Sequence, residues 1–239
     1  MFAFFTARAE EDIITALLPG PRIVRKVMDV IPQKTVDKDI ERFIQHMLRQ
    51  HFDFRFFTDK EQCQDLVSRS QYLFQWASAA CKFINGYHEH EHGLYPSQRL
   101  DKILQAADAD STGNRLLDHL YHTILSQLFA SEVTLERFRR VMATVLALRE
   151  PFSLASLQSS ALSVRYLELQ AIIKPLGSLL TGVHDEDQPI HLLHSSFRDF
   201  LLDGCRSTVY HVRIQPPTSK SSFSRRVKYI LSHLPCQSS

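Results

Sequence analysis

The stretch "PIHLLHSSFRDFLLD", residues 189–203, places one histidine between an extended apolar segment and an amphipathic helix. Apolar residues recur there at helical spacing, which predicts one buried face: Leu193, Phe197, Phe200 and Leu201. His194 stands where this helix begins, and two interpretations of it are open. In the structural interpretation, Ser195 caps the helix and His194 belongs to the linker, or His194 hydrogen-bonds the backbone where the strand meets the helix. In the functional interpretation, His194 reaches a ligand bound where the helix begins.

The residues before this stretch predict a β-hairpin. Two short apolar segments, "GSLL" (177–180) and "IHLL" (190–193), bracket the acidic turn "TGVHDEDQP". Paired apolar segments separated by turn residues are typical of a hairpin. Short helices are predicted before it, in "PFSLASLQSSAL" and over residues 164–174. Helices followed by a hairpin describe a winged-helix domain, which we assign to residues 113–212.

Helical periodicity also dominates the chain before this domain. Apolar stripes predict helices beginning near Val36 and then over residues 60–68, 72–84, 116–129 and 133–148. Asp37 is available as the N-cap of the first of these helices. We therefore expect a helical bundle over residues 31–112 in front of the winged helix. The alternative is one continuous helical domain.

The first 30 residues follow a different pattern. Phe2–Phe5 predicts a short buried strand, a helix follows as far as Leu18, and Ile23–Val30 is a second extended segment. Because isolated strand pairs are marginal in water, we expect residues 1–30 to be a remnant β-α-β piece of an upstream nucleotide-binding domain. The predicted fold is therefore mainly α, and it ends in a poorly ordered basic tail over residues 213–239.

Charge is distributed unevenly along the chain. The formal net charge is +2, yet residues 204–239 hold six of the 28 basic side chains and no acidic one, so residues 1–203 carry a net charge of −4. A protein that grips nucleic acid normally concentrates positive charge on its folded part. We therefore expect no nucleic-acid partner. For the tail, a partly docked end and a basic amphipathic helix that binds membranes or nucleic acid both stay open.

Membrane, metal and redox signals are weak. No apolar run approaches the roughly 20 residues that cross a bilayer, and Met1–Phe5 lacks the basic leader of a secretory signal. The four cysteines show no ligand spacing, which favours free thiols in the cytoplasm. The run "HEHEH", residues 88–92, is either a solvated loop or a weak metal site without a rigid frame. We expect a cytoplasmic protein with no membrane span and no specific metal site.

Phosphate-binding fingerprints are missing from the sequence. Neither G-x-x-x-x-G-K-[ST] nor G-x-G-x-x-G occurs, and the chain has only seven glycines. These motifs form the nest of backbone amides that holds the phosphates of a nucleotide. We therefore expect that the chain is not an enzyme and binds no cofactor by itself.

Several stretches, taken in their order, resemble the NACHT-type signal-transduction ATPases of fungi, which are STAND P-loop NTPases related to the NOD-like receptors. The resemblance covers roughly residues 2–212 and rests on six segments: "FFTARAEEDI", "LFQWASAACKFI", "LLDHLYHTIL", "FRRVMATVLALREPFSLASL", "LGSLLTG" and "PIHLLHSSFRDFLLD". The first resembles the strand and sensor of the family's nucleotide-binding domain. The second resembles the helical domain, and the others resemble the winged helix and its closing signature.

The resemblance implies a nucleotide-controlled switch. In the family, bound ADP holds the nucleotide, helical and winged-helix domains closed, and exchange for ATP releases them to oligomerise. Arg8 matches the sensor arginine that reads the terminal phosphate, and His194 matches the winged-helix histidine that contacts the β-phosphate of ADP. An imidazole beside a helix N-terminus suits an anion. Arg198 opposes the helix dipole at that end, so we expect it to have an acidic partner elsewhere.

The chain also departs from the family pattern. The family's phosphate loop and metal-binding aspartates precede the sensor strand, at which this chain begins. The resemblance therefore implies the regulatory part of a NOD-like receptor-type signalling protein, cut at both ends. Its expected partners are the missing NACHT nucleotide-binding core, which supplies the ATP or ADP, and protein partners or further copies of itself. The alternative is a stand-alone helical adaptor for protein–protein interaction.

Overall fold

The computed structural model describes residues 13, 15, 31–49, 60–86, 95–106, 114–148, 152–159 and 166–214. The chain forms two compact units, Met1–Val36 and Asp37–Ser239. In the first unit, Ile13 and Thr15 are helical, as predicted for the helix that ends at Leu18. The strands predicted over residues 2–5 and 23–30, and nearly all of the basic tail, lie outside the described residues.

Helices make up most of the part of the chain that the structure describes. In chain order they are α1 (Gln33–Arg49), α2 (Lys60–Ser70), α3 (Phe74–Asn85), α4 (Pro96–Ala106), α5 (Asn114–Leu128), α6 (Glu132–Ala147), α7 (Leu154–Ser159), α8 (Tyr166–Ile173), α9 (Ser195–Leu202) and α10 (Gly204–Ser207). Two short strands, β1 (Leu180–Thr181) and β2 (His191–Leu192), lie between α8 and α9. Over these ranges, no helix has the length and apolar character needed to cross a bilayer. The mainly α class is confirmed, and the bundle, the winged helix and the boundary between residues 112 and 113 stay predictions.

The helix predictions agree with the structure to within a few residues, but the predicted cap of α1 is wrong. This helix begins at Gln33, directly after Pro32, whose carbonyl accepts hydrogen bonds from the amides of Thr35 and Val36 at 2.8 and 3.3 Å. Asp37 therefore lies inside the helix. Proline suits the position before a helix because it has no amide hydrogen to leave unpaired there.

The predicted hairpin is confirmed, with shorter strands than expected. Its two strands run antiparallel, with Leu180 opposite Leu192 and Thr181 opposite His191. Residues 174–178 form a 3-10 turn, so the predicted strand over residues 177–180 is reduced to its last residue.

The turn of the hairpin requires glycine at one position. Gly182 has a φ of 75°, and a Cβ there would lie 2.2 Å from the carbonyl oxygen of Pro189. The far side of the turn is held by the start of α7. Ser153 forms an isolated antiparallel bridge with Pro189, and the Ala155 amide donates to the Glu186 carbonyl at 2.9 Å. The hairpin is thus held by the start of α7 as well as by the pairing of its own strands.

The helix that follows the hairpin packs on α5 through aromatic rings. The Tyr121 ring lies 5.0 Å from the Phe197 ring and 5.3 Å from the Phe200 ring between centroids. Phe197 and Phe200 are almost fully buried, and aromatic contacts of this kind add to the stabilisation that comes from burial alone. This packing places the beginning of α9 beside the middle of α5.

Candidate functional site

The candidate site is the N-terminus of α9. His194 is its N-cap residue, with extended backbone, and the imidazole Nδ1 accepts a hydrogen bond from the Ser196 amide at 3.1 Å. Ser195 is the first helical residue, so the prediction that Ser195 is the cap is wrong, whereas the alternative that His194 hydrogen-bonds the backbone at this junction is confirmed. The cap role usually falls to Ser, Thr, Asp or Asn, and here a ring nitrogen supplies the acceptor.

A second residue of the same turn connects the imidazole to α5. Ser196 Oγ lies 2.7 Å from His194 Nδ1 and 2.7 Å from the hydroxyl oxygen of Tyr121. Ser196 and Tyr121 are only 8% and 3% exposed, whereas His194 is half-buried. Three side chains therefore form one chain of hydrogen bonds from the partly exposed ring into the core.

Burial also changes the pKa of one member of this chain, Tyr121. Desolvation by burial raises the pKa of Tyr121 above its ordinary value. The folded protein therefore keeps the phenol protonated at pH values where an unfolded chain ionises it. The hydroxyl stays available as a hydrogen-bond donor over the whole physiological range.

The raised pKa of Tyr121 predicts a loss of stability at alkaline pH. Its contribution is fully present below the unfolded tyrosine pKa, about 10, and is lost as the pH rises through the higher folded value, by at most about 1.4 kcal/mol per pH unit. Urea unfolding at about pH 8 and about pH 11 should show a shallower decline in Tyr121→Phe than in the wild type. Tyr95→Phe, at a position 75% exposed, should keep the wild-type decline. Equal declines in all three proteins would contradict the prediction.

Arg198 has a different partner from the one predicted. Its Nη1 donates to the Leu146 carbonyl oxygen at 3.0 Å, in the last turn of α6. Among the described residues its partner is thus a helix carboxyl end, where a cation is favoured, rather than a carboxylate. The described residues show no acidic partner for Arg198, and the expectation of one stays a prediction.

The segment after α9 is tied to the same face of α5. Arg206 makes a two-pronged ion pair with Asp118, at 2.7 Å from Nη2 and 3.0 Å from Nε, and the Arg206 carbonyl oxygen lies 2.8 Å from His122 Nε2. Asp203 caps α10 by accepting from the amides of Cys205 and Arg206. Two consecutive helices are therefore anchored on α5 by polar side chains.

The hairpin turn carries exposed carboxylates, and a carboxylate on α8 is paired with an arginine. Asp185, Glu186 and Asp187 are exposed in the hairpin turn, and Glu168 on α8 pairs with Arg140 of α6. Carboxylates in these positions would repel a phosphate backbone. The absence of a nucleic-acid partner stays a prediction, and this charge pattern favours it.

Two other predicted sites lie outside the described residues. They are Arg8 and the run of residues 88–92, so the structure does not relate Arg8 to His194. The run also fits the pattern H-E-x-x-H, which binds zinc when both histidines lie on one face of a helix. In the described ranges no cluster of three or more His, Cys, Asp or Glu side chains is arranged to hold a metal ion.

The described cysteines are free thiols. They are Cys63, Cys81 and Cys205. Burial raises the pKa of Cys81 to about 12, so this thiol stays protonated and is a poor nucleophile. Their state agrees with the free thiols expected from the sequence.

Sequence reasoning missed Ser196 and Tyr121 as members of the site. Ser196 stands two residues after His194, the spacing from an N-cap side chain to the amide it binds, and that signal was available. Tyr121 lies 75 residues earlier and fits the apolar pattern of α5. No neighbouring residue therefore indicates its hydrogen bond with Ser196.

The chain was also compared with known proteins. No protein-family model, curated protein or solved structure matches it. The features that bear on its function are therefore its own sequence motifs and the geometry of α9.

Proposed function

We propose that this chain is the regulatory helical and winged-helix region of a NACHT-type, NOD-like receptor-type signalling switch. In such a switch this region closes over ADP held by a nucleotide-binding core and is released when ATP replaces ADP. The observation that carries the proposal is the place of His194, which is the N-cap of α9 directly after a hairpin. The family resemblance gives the winged-helix histidine this same place in the sequence.

The chemistry of this helix start favours a phosphate group. The dipole of a helix favours an anion near its N-terminus, and α9 has no acidic residue in its first turn. His194 is partly exposed, so an oxygen of a phosphate can approach its ring. Arg8 is proposed as the second phosphate contact, from the nucleotide-binding side of the switch.

We propose that the chain alone is not an enzyme. Phosphoryl transfer requires a phosphate loop with its lysine and the ligands of a magnesium ion, because positioning and charge stabilisation supply almost all of the catalysis. The sequence contains no such loop. ATP and ADP are then ligands of the assembled switch, and the partners of this region are the nucleotide-binding core and other signalling proteins.

We expect ADP to perturb the start of α9 in this chain, with an affinity of about 1 mM because only part of a nucleotide site is present. Two-dimensional NMR titration should show shifts at His194 and Ser196 with ADP and none with adenosine, which lacks the phosphates. His194→Asn should abolish the response, since asparagine preserves the cap but has no imidazole. His191→Asn, an exposed histidine on β2, is the matched control and should respond as the wild type does.

Equal shifts with adenosine and ADP would contradict the phosphate contact. So would an unchanged response in His194→Asn. Absence of any ADP response, together with capture of a defined protein partner without nucleotide, would favour the stand-alone adaptor instead.

A further inference from the structure

The hydrogen bonds around His194 determine which ring nitrogen carries the proton. Nδ1 accepts the Ser196 backbone N–H, so in this arrangement Nδ1 has no hydrogen of its own. A neutral imidazole has one protonated nitrogen, which is then Nε2. The ring therefore offers its donor on the side away from the helix.

The direction of the other two hydrogen bonds follows from the same contact. Because Nδ1 is an acceptor, the Ser196 hydroxyl at 2.7 Å donates to it. The Ser196 oxygen then accepts from the Tyr121 hydroxyl, also at 2.7 Å. Every hydroxyl hydrogen in this chain has an acceptor, so the order Tyr121 to Ser196 to His194 is consistent throughout.

We propose that Tyr121 and Ser196 are positioning residues for His194, forming a relay of hydroxyls that fixes the orientation of the ring, while the Ser196 amide keeps the imidazole proton on Nε2. A phosphate oxygen would approach a ring held in this orientation, and in that consequence the relay rests on the proposed function. The relay itself concerns the free chain and needs no nucleotide.

The relay also ties the site to α5. Reorientation of the ring would break the bond to Ser196 Oγ and leave the hydroxyl hydrogen of Ser196, which is 8% exposed, without its acceptor. An unsatisfied buried hydroxyl is destabilising. The ring position and the packing of α5 against α9 are therefore coupled through two short hydrogen bonds.

NMR of the imidazole nitrogens in the 15N-labelled full chain tests the relay at about pH 8, where an ordinary histidine is neutral. His194 is one of 12 histidines and is assigned by loss of its signals in His194→Asn. We expect a protonated Nε2 and an unprotonated Nδ1 whose shift shows that it accepts hydrogen bonds. In Ser196→Ala the Nδ1 shift should move towards that of a nitrogen with fewer hydrogen bonds, because one of its two donors is lost, while Nε2 stays protonated because the amide of residue 196 remains.

Tyr121→Phe should move the Nδ1 shift in the same direction as Ser196→Ala, by less, because the hydroxyl of Ser196 remains. Tyr210→Phe is the matched control: this tyrosine is 6% exposed and packs against the His122 ring, and its removal should leave the His194 nitrogens unchanged. A wild-type ring protonated at Nδ1 would overturn the proposal. Wild-type shifts in both Tyr121→Phe and Ser196→Ala would overturn it as well, whatever ADP does.

Discussion

Phe200→Ala is expected to lower the free energy of unfolding by about 3–5 kcal/mol. Phe200 is fully buried on α9, and its ring lies 5.3 Å from that of Tyr121 and 5.1 Å, edge-on, from that of His122. Truncation to alanine removes the buried surface and leaves a cavity that the two rings of α5 cannot fill without moving. The cost is therefore near the upper part of the range for core substitutions.

Urea unfolding of Phe200→Ala beside Leu167→Ala measures this effect. Leu167 lies on α8 and is 77% exposed, so its truncation should change the free energy of unfolding by less than about 0.5 kcal/mol. A difference between the two variants below about 1 kcal/mol would show that α9 does not pack on α5 as described. Because α9 carries the His194 cap, Phe200→Ala should also weaken the protection of the Ser196 amide in hydrogen exchange.

Local patterns were sufficient to predict most of the elements. The spacing of Phe197, Phe200 and Leu201 predicted the buried face of α9, and the acidic turn between two apolar segments predicted the hairpin. Both predictions need only neighbouring residues, since the period of the apolar positions and the turn chemistry are written in one short stretch. The start of α1 was misplaced because a good capping residue, Asp37, lay close to a proline that began the helix earlier.

The polar contacts of the site could not be predicted in the same way. Tyr121 and Ser196 are far apart in sequence, as are Arg198 and the Leu146 carbonyl. Periodicity reports which face of a helix is buried, and it does not report which polar atom on that face meets which partner. The cap was assigned to Ser195 instead of His194 for a different reason, since histidine is not among the residues that usually cap helices.

These contacts give α5 a consistent role. It holds the start of α9 through Tyr121 and Ser196, and it holds α10 through Asp118 and Arg206. A ligand that repositions His194 would therefore act on α5, the helix that contacts both α9 and α10. The proposed switch therefore has a physical route from the phosphate contact to the packing of the C-terminal helices, and the ion pair at its far end can be tested separately.

Asp118→Asn is expected to lower the free energy of unfolding by about 1.5–3 kcal/mol, the range for a hydrogen bond to a charged group. The Arg206 and Asp118 side chains are only 23% and 14% exposed and meet through two hydrogen bonds. Asparagine keeps the shape of the carboxylate but removes its charge and one acceptor. The guanidinium is then left partly buried without its counter-charge, which is the main part of the cost.

An exposed ion pair in α1 supplies the control. Asp39 and Arg42 are 52% and 79% exposed and 3.5 Å apart, so Asp39→Asn should cost less than about 0.5 kcal/mol. Urea unfolding of the two variants compares them directly, and equal losses would mean that the Asp118 pair is no stronger than a surface pair. A double mutant, Asp118→Asn with Arg206→Met, should recover part of the loss, because no unpaired charge then remains against α5. Strict additivity of the two single changes would instead show that Asp118 and Arg206 act independently, and the anchoring of α10 would have to come from its Asp203 cap and the His122 contact.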